Sequence, residues 1–173
     1  SGIRLGTAYA LRMTSLSWRS AAEVYNGTEW FHNLTIVVPN TQATRTAILF
    51  VTGGSREDDP RTADTLDPFI GQVAAATGSV VAVLENVPNQ PLIFTDEFDE
   101  RGFPLRSRSE DEIIAYSYDK YMQSYLNGTP DRTWPALFPM VKAAVRAMDT
   151  VQAVAQVKGF AADDFIVTGA SKR

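Results

Sequence analysis

The last nine residues, 165–173, contain the residue types best suited to nucleophilic chemistry. Four apolar or β-branched residues lead into Gly-Ala-Ser, which is typical of a buried strand that ends in a sharp turn. A serine hydroxyl on such a turn attacks a carbonyl only if a base takes its proton and N–H donors stabilise the oxyanion. We therefore predict Ser171 as a nucleophile, with the backbone N–H of Lys172 directed at the oxyanion.

A second donor is expected from the glycine pair at Gly53-Gly54. The pair follows residues 47–51, whose continuous apolar run is typical of a parallel strand buried on both faces. In α/β-hydrolases the nucleophile lies on a strand-to-helix elbow, and the second oxyanion donor comes from the loop after an earlier strand. We accordingly predict the N–H near Gly54 as the second donor. The alternative interpretation of the two glycines is an ordinary turn that ends a strand.

The base and acid of a triad are not evident in the sequence. Its one histidine, His32, lies far upstream of Ser171, whereas α/β-hydrolases have the order serine, acid, histidine. We expect His32 to be structural and the base to lie on a continuation that packs against the terminal strand. We also find no metal-ligand spacing and no phosphate-binding loop, so we expect neither a metal nor a cofactor.

The same terminal residues allow a different interpretation. The string Ile-Val-Thr-Gly-Ala-Ser within 165–173 also resembles the NAD(P)-binding turn that opens short-chain dehydrogenases. There the motif follows the first strand of the domain. Here a long α/β pattern precedes it, which favours the hydrolase interpretation.

The order of elements predicts an α/β-hydrolase fold, with a mostly parallel sheet preceded by antiparallel strands. Strands are predicted at residues 9–18, 34–38, 47–51, 79–84 and 165–169. Helices are predicted from Asp67-Pro68 to Gly78, from a Ser109–Glu112 capping box to Asn127, and over residues 139–157. We expect one domain over residues 1–173, incomplete at its C-terminus and ending at the nucleophile elbow.

Two helix faces are predicted to pack against the core. In the helix after the capping box the predicted face is aromatic: Ile114, Tyr118, Tyr121, Met122 and Tyr125. In the long helix it is aliphatic: Val141, Ala144, Val145, Met148, Val151 and Ala155.

The segment from Glu85 to Arg108 is long and rich in proline and charge. A loop of this length in a compact domain is usually functional. It follows a parallel strand, so its first part is expected near the site, with Asn89 and Gln90 as candidate substrate contacts. Residues 97–108 are a candidate lid.

Composition excludes several classes of partner. Sixteen basic and twenty acidic residues give a net charge of −4, which argues against an electrostatic nucleic-acid binder. No apolar run is long enough to span a membrane.

Three glycosylation sequons, at Asn26, Asn33 and Asn127, favour a secreted protein or another secretory-pathway compartment. The alternative for two of them, which are Asn-Gly, is turn chemistry.

Several strings together resemble the PhoPQ-activated pathogenicity-related proteins, an α/β-hydrolase-like family. They include the segments at residues 30–32, 49–54, 87–92, 109–116, 134–135, 139–149 and 169–173. The resemblance implies an α/β-hydrolase fold, export from the cytoplasm and Ser171 as the elbow residue. Some eukaryotic members resemble secreted growth-repressing factors.

Two hypotheses follow. The first is the N-terminal part of a secreted serine hydrolase that acts on an ester or amide of a small molecule or peptide. The second is a secreted signalling or binding protein of the growth-repressor type that keeps the fold without catalysis. The Lys172-Arg173 end also suggests dibasic cleavage, with the C-terminal remainder as a continuation or a separate chain.

Overall fold

The computed structural model describes residues 5–59 and 67–173 and is a mixed α/β structure built on a five-stranded sheet. The strands are β1 (Gly6–Ser17), β2 (Val24–Asn26), β3 (Glu29–Pro39), β4 (Thr46–Val51), β5 (Val81–Leu84), β6 (Ile93–Phe94) and β7 (Asp164–Gly169). The helices are α1 (Pro68–Thr77), α2 (Asp111–Leu126) and α3 (Leu137–Lys158). The main sheet has the order β1-β3-β5-β4-β7.

The sheet is antiparallel in one half and parallel in the other. β1 pairs antiparallel with β3, and β3 pairs antiparallel with β5. β4 then pairs parallel with β5 on one side and with β7 on the other. The predicted opening antiparallel pair is confirmed, and the sheet as a whole is mixed. The parallel half brings the ends of β4, β5 and β7 to the same edge.

Helix α1 begins and ends where the sequence predicts. The Asp67 carboxylate accepts a hydrogen bond from the Phe69 N–H at 2.9 Å, and Pro68 occupies the first turn. Gly78 ends the helix in the left-handed conformation, with φ 63°. The helix covers one face of the sheet, where Ala74 belongs to a small apolar cluster with Val37 and Val81.

Helix α3 covers the opposite face, and its buried stripe matches the predicted one only in part, at Val151 and Ala155. Its buried residues are Pro139, Met140, Ala143, Ala147, Val151 and Ala155. Val141 and Val145, which were predicted to be buried, are exposed. Adjacent stripes of this helix are both apolar, and the stripe rich in alanine allows the closer approach to the sheet.

Two predictions for α2 are wrong. The helix begins at Asp111 after Glu110, and no side chain caps it, so the Ser109–Glu112 capping box does not form. Of the predicted aromatic face, Tyr118, Met122 and Tyr125 are exposed, and only Ile114 and Tyr121 pack partly buried against the core. Instead, the helix buries Ile113, Tyr116 and Ser117, and the Ser117 hydroxyl accepts a hydrogen bond from the Ala136 N–H at 3.0 Å. A small polar side chain therefore lies inward because it satisfies the backbone where α3 begins.

The first part of the segment from Glu85 to Arg108 is well packed, whereas residues 100–107 are exposed. The packed part contains β6, which pairs with β2 in a two-stranded sheet that was not predicted. Phe94 of β6 is fully buried and stacks on Tyr116, with ring centroids 3.9 Å apart. Within the described residues, no helix has the length and apolar character needed to cross a bilayer.

Candidate functional site

Ser171 lies on a strained turn directly after β7. β7 runs parallel to β4, with Gly169 opposite Val51 at the end of the pair. Ser171 is exposed and has φ 62°, a left-handed conformation that is uncommon for a residue other than glycine. In a nucleophile elbow, too, a strained turn directly after a strand presents the serine. No hydrogen bond within the described residues involves the Ser171 hydroxyl.

Gly169 makes this turn possible because the backbone folds back onto it. A methyl group at this position would lie 2.6 Å from the carbonyl oxygen of Arg173 and 3.1 Å from that of Val51. Both neighbours are backbone atoms, so a side chain could be accommodated only by moving the turn. The N–H of Ala170 donates to the same Val51 carbonyl at 3.3 Å. The turn is thus tied to the neighbouring strand.

The Gly53-Gly54 loop lies at the same edge of the sheet. Arg173 reaches it, because a methyl group at Gly53 would lie 2.8 Å from Nη2 of that arginine. Gly54 has φ 140°, and a methyl group there would lie 3.1 Å from the backbone nitrogen of Asn86. The Arg173 side chain is therefore a neighbour of the glycine pair, and the oxyanion arrangement of Lys172 and Gly54 stays a prediction.

Asn89 and Gln90 are buried beneath this loop, and their amides are used within the chain. The Gln90 side chain donates to the carbonyl of Gly54 at 2.7 Å and accepts from the N–H of Glu110 at 2.7 Å. Asn89 donates to the Gly27 carbonyl at 3.1 Å. These bonds hold the loops in place, and contact of either residue with a substrate stays a prediction.

The two basic residues after Ser171 pair with the start of α2. Arg173 donates from Nη2 to the Glu110 carboxylate and from Nε to the Val87 carbonyl, both at 2.5 Å. Lys172 donates to Asp111 at 2.6 Å. The bond from Arg173 holds the pKa of Glu110 below its usual range. Of these four charged residues, the sequence analysis named only Lys172 as a site residue and missed Glu110. The matching charges of the acidic pair Glu110-Asp111 and the basic pair Lys172-Arg173 could have indicated this contact.

His32 is fully committed to the interior, as the sequence prediction expected. Nε2 is 2.8 Å from the Ser15 hydroxyl and Nδ1 is 3.1 Å from the Glu85 carbonyl. A carbonyl only accepts, so the neutral ring carries its proton on Nδ1 and accepts at Nε2. Burial lowers the pKa of His32 to about 4. With both nitrogens occupied, this ring does not serve Ser171 as a base.

An apolar groove of about 390 Å³ adjoins the elbow. It runs between β7 and the first half of α3, and includes Val51, Val87, Met140, Val141 and Val167. Lys172 and Arg173 line its end. The groove thus offers an apolar surface beside the candidate nucleophile.

The predicted lid, residues 97–108, is fixed at its base by ion pairs. Glu97 and Arg108 pair at 2.5 Å with little solvent exposure, and Phe98 bridges to Pro104. Asp96 lies just before the predicted lid. Burial opposes ionisation of its carboxyl, but hydrogen bonds from Lys120 and Tyr116 outweigh burial and lower its pKa. The exposed tip carries Phe103 and Leu105.

The three sequon asparagines differ in accessibility. Asn127 is exposed at the end of α2. Asn33 is buried, and its amide nitrogen, the atom that a glycan would modify, donates to the Asp59 carbonyl at 3.2 Å. Asn26 is half-buried and accepts from the Ile93 N–H at 2.8 Å.

In the described segments, no three His, Cys, Asp or Glu side chains are grouped as a metal site.

The family model for PhoPQ-activated pathogenicity-related protein matches residues 2–173. The chain belongs to this family. Autocrine proliferation repressor protein A of Dictyostelium discoideum is 35% identical over 167 residues, which is 96% of this chain and 31% of that protein. This confirms the family resemblance drawn from the sequence.

Among solved structures, a bacterial heroin esterase resembles the chain with a TM-score of 0.38 at 15% identity, covering 94% of this chain and 35% of that one. The chain therefore spans about a third of the length of each of these two proteins.

Proposed function

We propose that this chain is the part of a serine hydrolase that carries the nucleophile elbow, within an α/β-hydrolase fold. The observation that carries the proposal is the strained φ of Ser171 at the end of a parallel strand. Ser171 attacks the carbonyl of an ester or amide. The backbone N–H groups of Lys172 and Gly54 stabilise the oxyanion that develops.

The base and the acid come from another part of the complete protein. This assignment is supported by the hydrogen bonds to Ser15 and Glu85 that occupy both ring nitrogens of His32. The greater length of the Dictyostelium relative also supports it. Further residues of the protein also cover the outer side of β7, where Ile166 and Val167 are exposed. The substrate is a small molecule or a peptide.

A fluorophosphonate probe tests the proposal directly, because it reacts with serines activated for acyl transfer. We expect the complete protein to be labelled and its Ser171→Ala variant to resist labelling. Ser15→Ala is the matched control, since Ser15 is a buried serine outside the site. Equal labelling of the wild type and Ser171→Ala would refute the assignment.

A second candidate function is a secreted growth repressor that keeps the fold without catalysis. The name of the Dictyostelium relative, autocrine proliferation repressor protein A, favours it. We expect the two functions to separate in a proliferation assay. Full potency of the Ser171→Ala variant supports repression without catalysis, and loss of potency supports hydrolysis.

We place the protein in the secretory pathway. The exposed sequon at Asn127 supports this location, because N-glycans are added to accessible asparagines in secreted proteins. Release of a glycan from Asn127 by an amidase, followed by mass measurement, tests it. An unmodified Asn127 in protein isolated from its natural source argues against export by this route.

A further inference from the structure

Backbone strain in this chain is concentrated at the edge that carries the elbow. Among the described residues, the non-glycine residues with positive φ are Arg19, Asn86, Glu110 and Ser171. Asn86 contacts the Gly53-Gly54 loop through its backbone. Strained residues persist only where the surroundings hold them, and they cluster at functional sites.

Glu110 has a conformation that is unusual for its residue type. Its φ of 47° and ψ of −116° lie in a region that favours glycine. It precedes α2 directly, yet its side chain does not cap the helix. A glycine would adopt this geometry with less strain, so what the carboxylate contacts is of interest.

Those contacts join the two halves of the proposed oxyanion site. The Glu110 carboxylate accepts from Arg173, at the end of the elbow, and its N–H donates to the Gln90 side chain. Gln90 in turn donates to the carbonyl of Gly54. A continuous series of hydrogen bonds thus runs from Gly54 through Gln90 and Glu110 to Arg173.

The partner of Glu110 is itself held firmly. The Arg173 side chain is 4% exposed, and its Nε donates to the Val87 carbonyl. A buried guanidinium requires a charged or hydrogen-bonded partner. Glu110 supplies that charge while remaining 45% exposed itself. Loss of the carboxylate therefore releases Arg173 and the turn that precedes it.

We propose that Glu110 is a positioning residue that fixes the Ser171 elbow relative to the Gly54 loop. The proposal rests on the proposed hydrolase function, since it assigns a role at the same site. Glu110 acts only through Arg173 and Gln90. Its effect is to keep the N–H groups of Lys172 and Gly54 at the spacing that one oxyanion requires.

The test is the rate constant for fluorophosphonate labelling of the complete protein, measured together with the thermal unfolding midpoint. Glu110→Gly removes the carboxylate and relieves the strained φ. We expect labelling to slow by about tenfold or more, since small displacements of reacting groups cost this much. We expect the midpoint to change little, because relief of the strained φ by glycine offsets the loss of the charged partner of the buried Arg173.

Two further variants separate positioning from folding. Glu110→Gln keeps an oxygen that accepts from Arg173, and we expect its labelling rate to stay within about threefold of the wild type. Glu112→Ala removes a carboxylate from the same turn of α2 that pairs only with Arg106 among the described side chains. We expect it to leave the labelling rate unchanged.

Each outcome decides the proposal. Glu110→Gly labelled at the wild-type rate overturns it. A slower rate accompanied by a lower midpoint, with Glu110→Gln equally impaired, assigns Glu110 to folding and also overturns it. A wild type that resists labelling refutes the hydrolase function itself, and the positioning role with it. Slower labelling of Glu110→Gly supports the proposal when the midpoint is unchanged or higher, or when Glu110→Gln labels near the wild-type rate.

Discussion

The buried His32 makes the stability of the fold depend on pH, and replacing it tests the interior assigned to it. Burial lowers the pKa of this ring from 6.5 to about 4, so the folded state holds it neutral. The unfolded state protonates it near its ordinary pKa. His32 therefore contributes stability that is present above pH 6.5 and lost as the pH falls toward 4.

The size of the effect follows from the two pKa values. A fall from 6.5 to about 4 corresponds to about 3 kcal/mol at roughly 1.36 kcal/mol per pKa unit. Between about pH 7.5 and about pH 5, most unfolded chains gain the proton while few folded ones do. About 2 kcal/mol of the free energy of unfolding is then lost through this residue.

The assay is urea unfolding of the wild type and of His32→Gln at both pH values. Glutamine does not titrate, so the variant is less stable throughout but lacks this contribution to the pH dependence. The difference between the two proteins isolates His32, because other titrating groups affect both. An equal loss of stability in the two proteins on acidification would show that His32 is not held neutral in the interior.

Three other predictions concern the turn, the sequons and the core. Gly169→Ala should be destabilised by about 1–3 kcal/mol and labelled more slowly by fluorophosphonate, because the added methyl meets the Arg173 carbonyl; unchanged unfolding and labelling would contradict the tight turn. Glycopeptide mapping should find Asn127 occupied and Asn33 unmodified, since only the first is exposed; a glycan on Asn33 would contradict its burial. Phe94→Ala should cost about 3–5 kcal/mol in urea unfolding, because the ring is fully buried; a loss below about 1 kcal/mol would show a looser core.

Much of the fold could be predicted where local signals and packing agree. Asp67-Pro68 and Gly78 bound α1 in both sequence and structure, because caps act within a few residues. The strand Thr46–Val51 was evident from its continuous apolar run, although only one of its faces is fully buried and the other is half-buried. The pair of β2 and β6 was missed because each strand is very short and their pairing depends on distant residues.

The packed faces of the helices were harder to predict because more than one stripe is apolar. α3 presents valines such as Val141 and Val145 beside its alanine stripe, and periodicity does not choose between the two. The stripe rich in alanine packs against the sheet, because small side chains allow closer packing. In α2 the aromatic stripe suggested burial, but Ser117 lies inward to satisfy a backbone N–H of another element. Such a partner is not visible in local sequence.

The candidate site was predictable in its parts but not in its connections. Ser171 and Gly54 follow from a strand-ending motif and a glycine pair, which are local patterns. The series from Gln90 through Glu110 to Arg173 joins residues far apart in sequence. The strained φ of Glu110 has no sequence signature, because tertiary contacts impose it.

We propose that Ser171 reacts while two backbone donors hold the oxyanion. A crystal structure of the complete protein after reaction with a fluorophosphonate measures this directly. We expect a phosphonyl group on Ser171 Oγ, with one oxygen roughly 2.7–3.1 Å from the N–H nitrogens of Lys172 and Gly54. An adduct on another residue, or a phosphonyl oxygen directed away from both nitrogens, would contradict it.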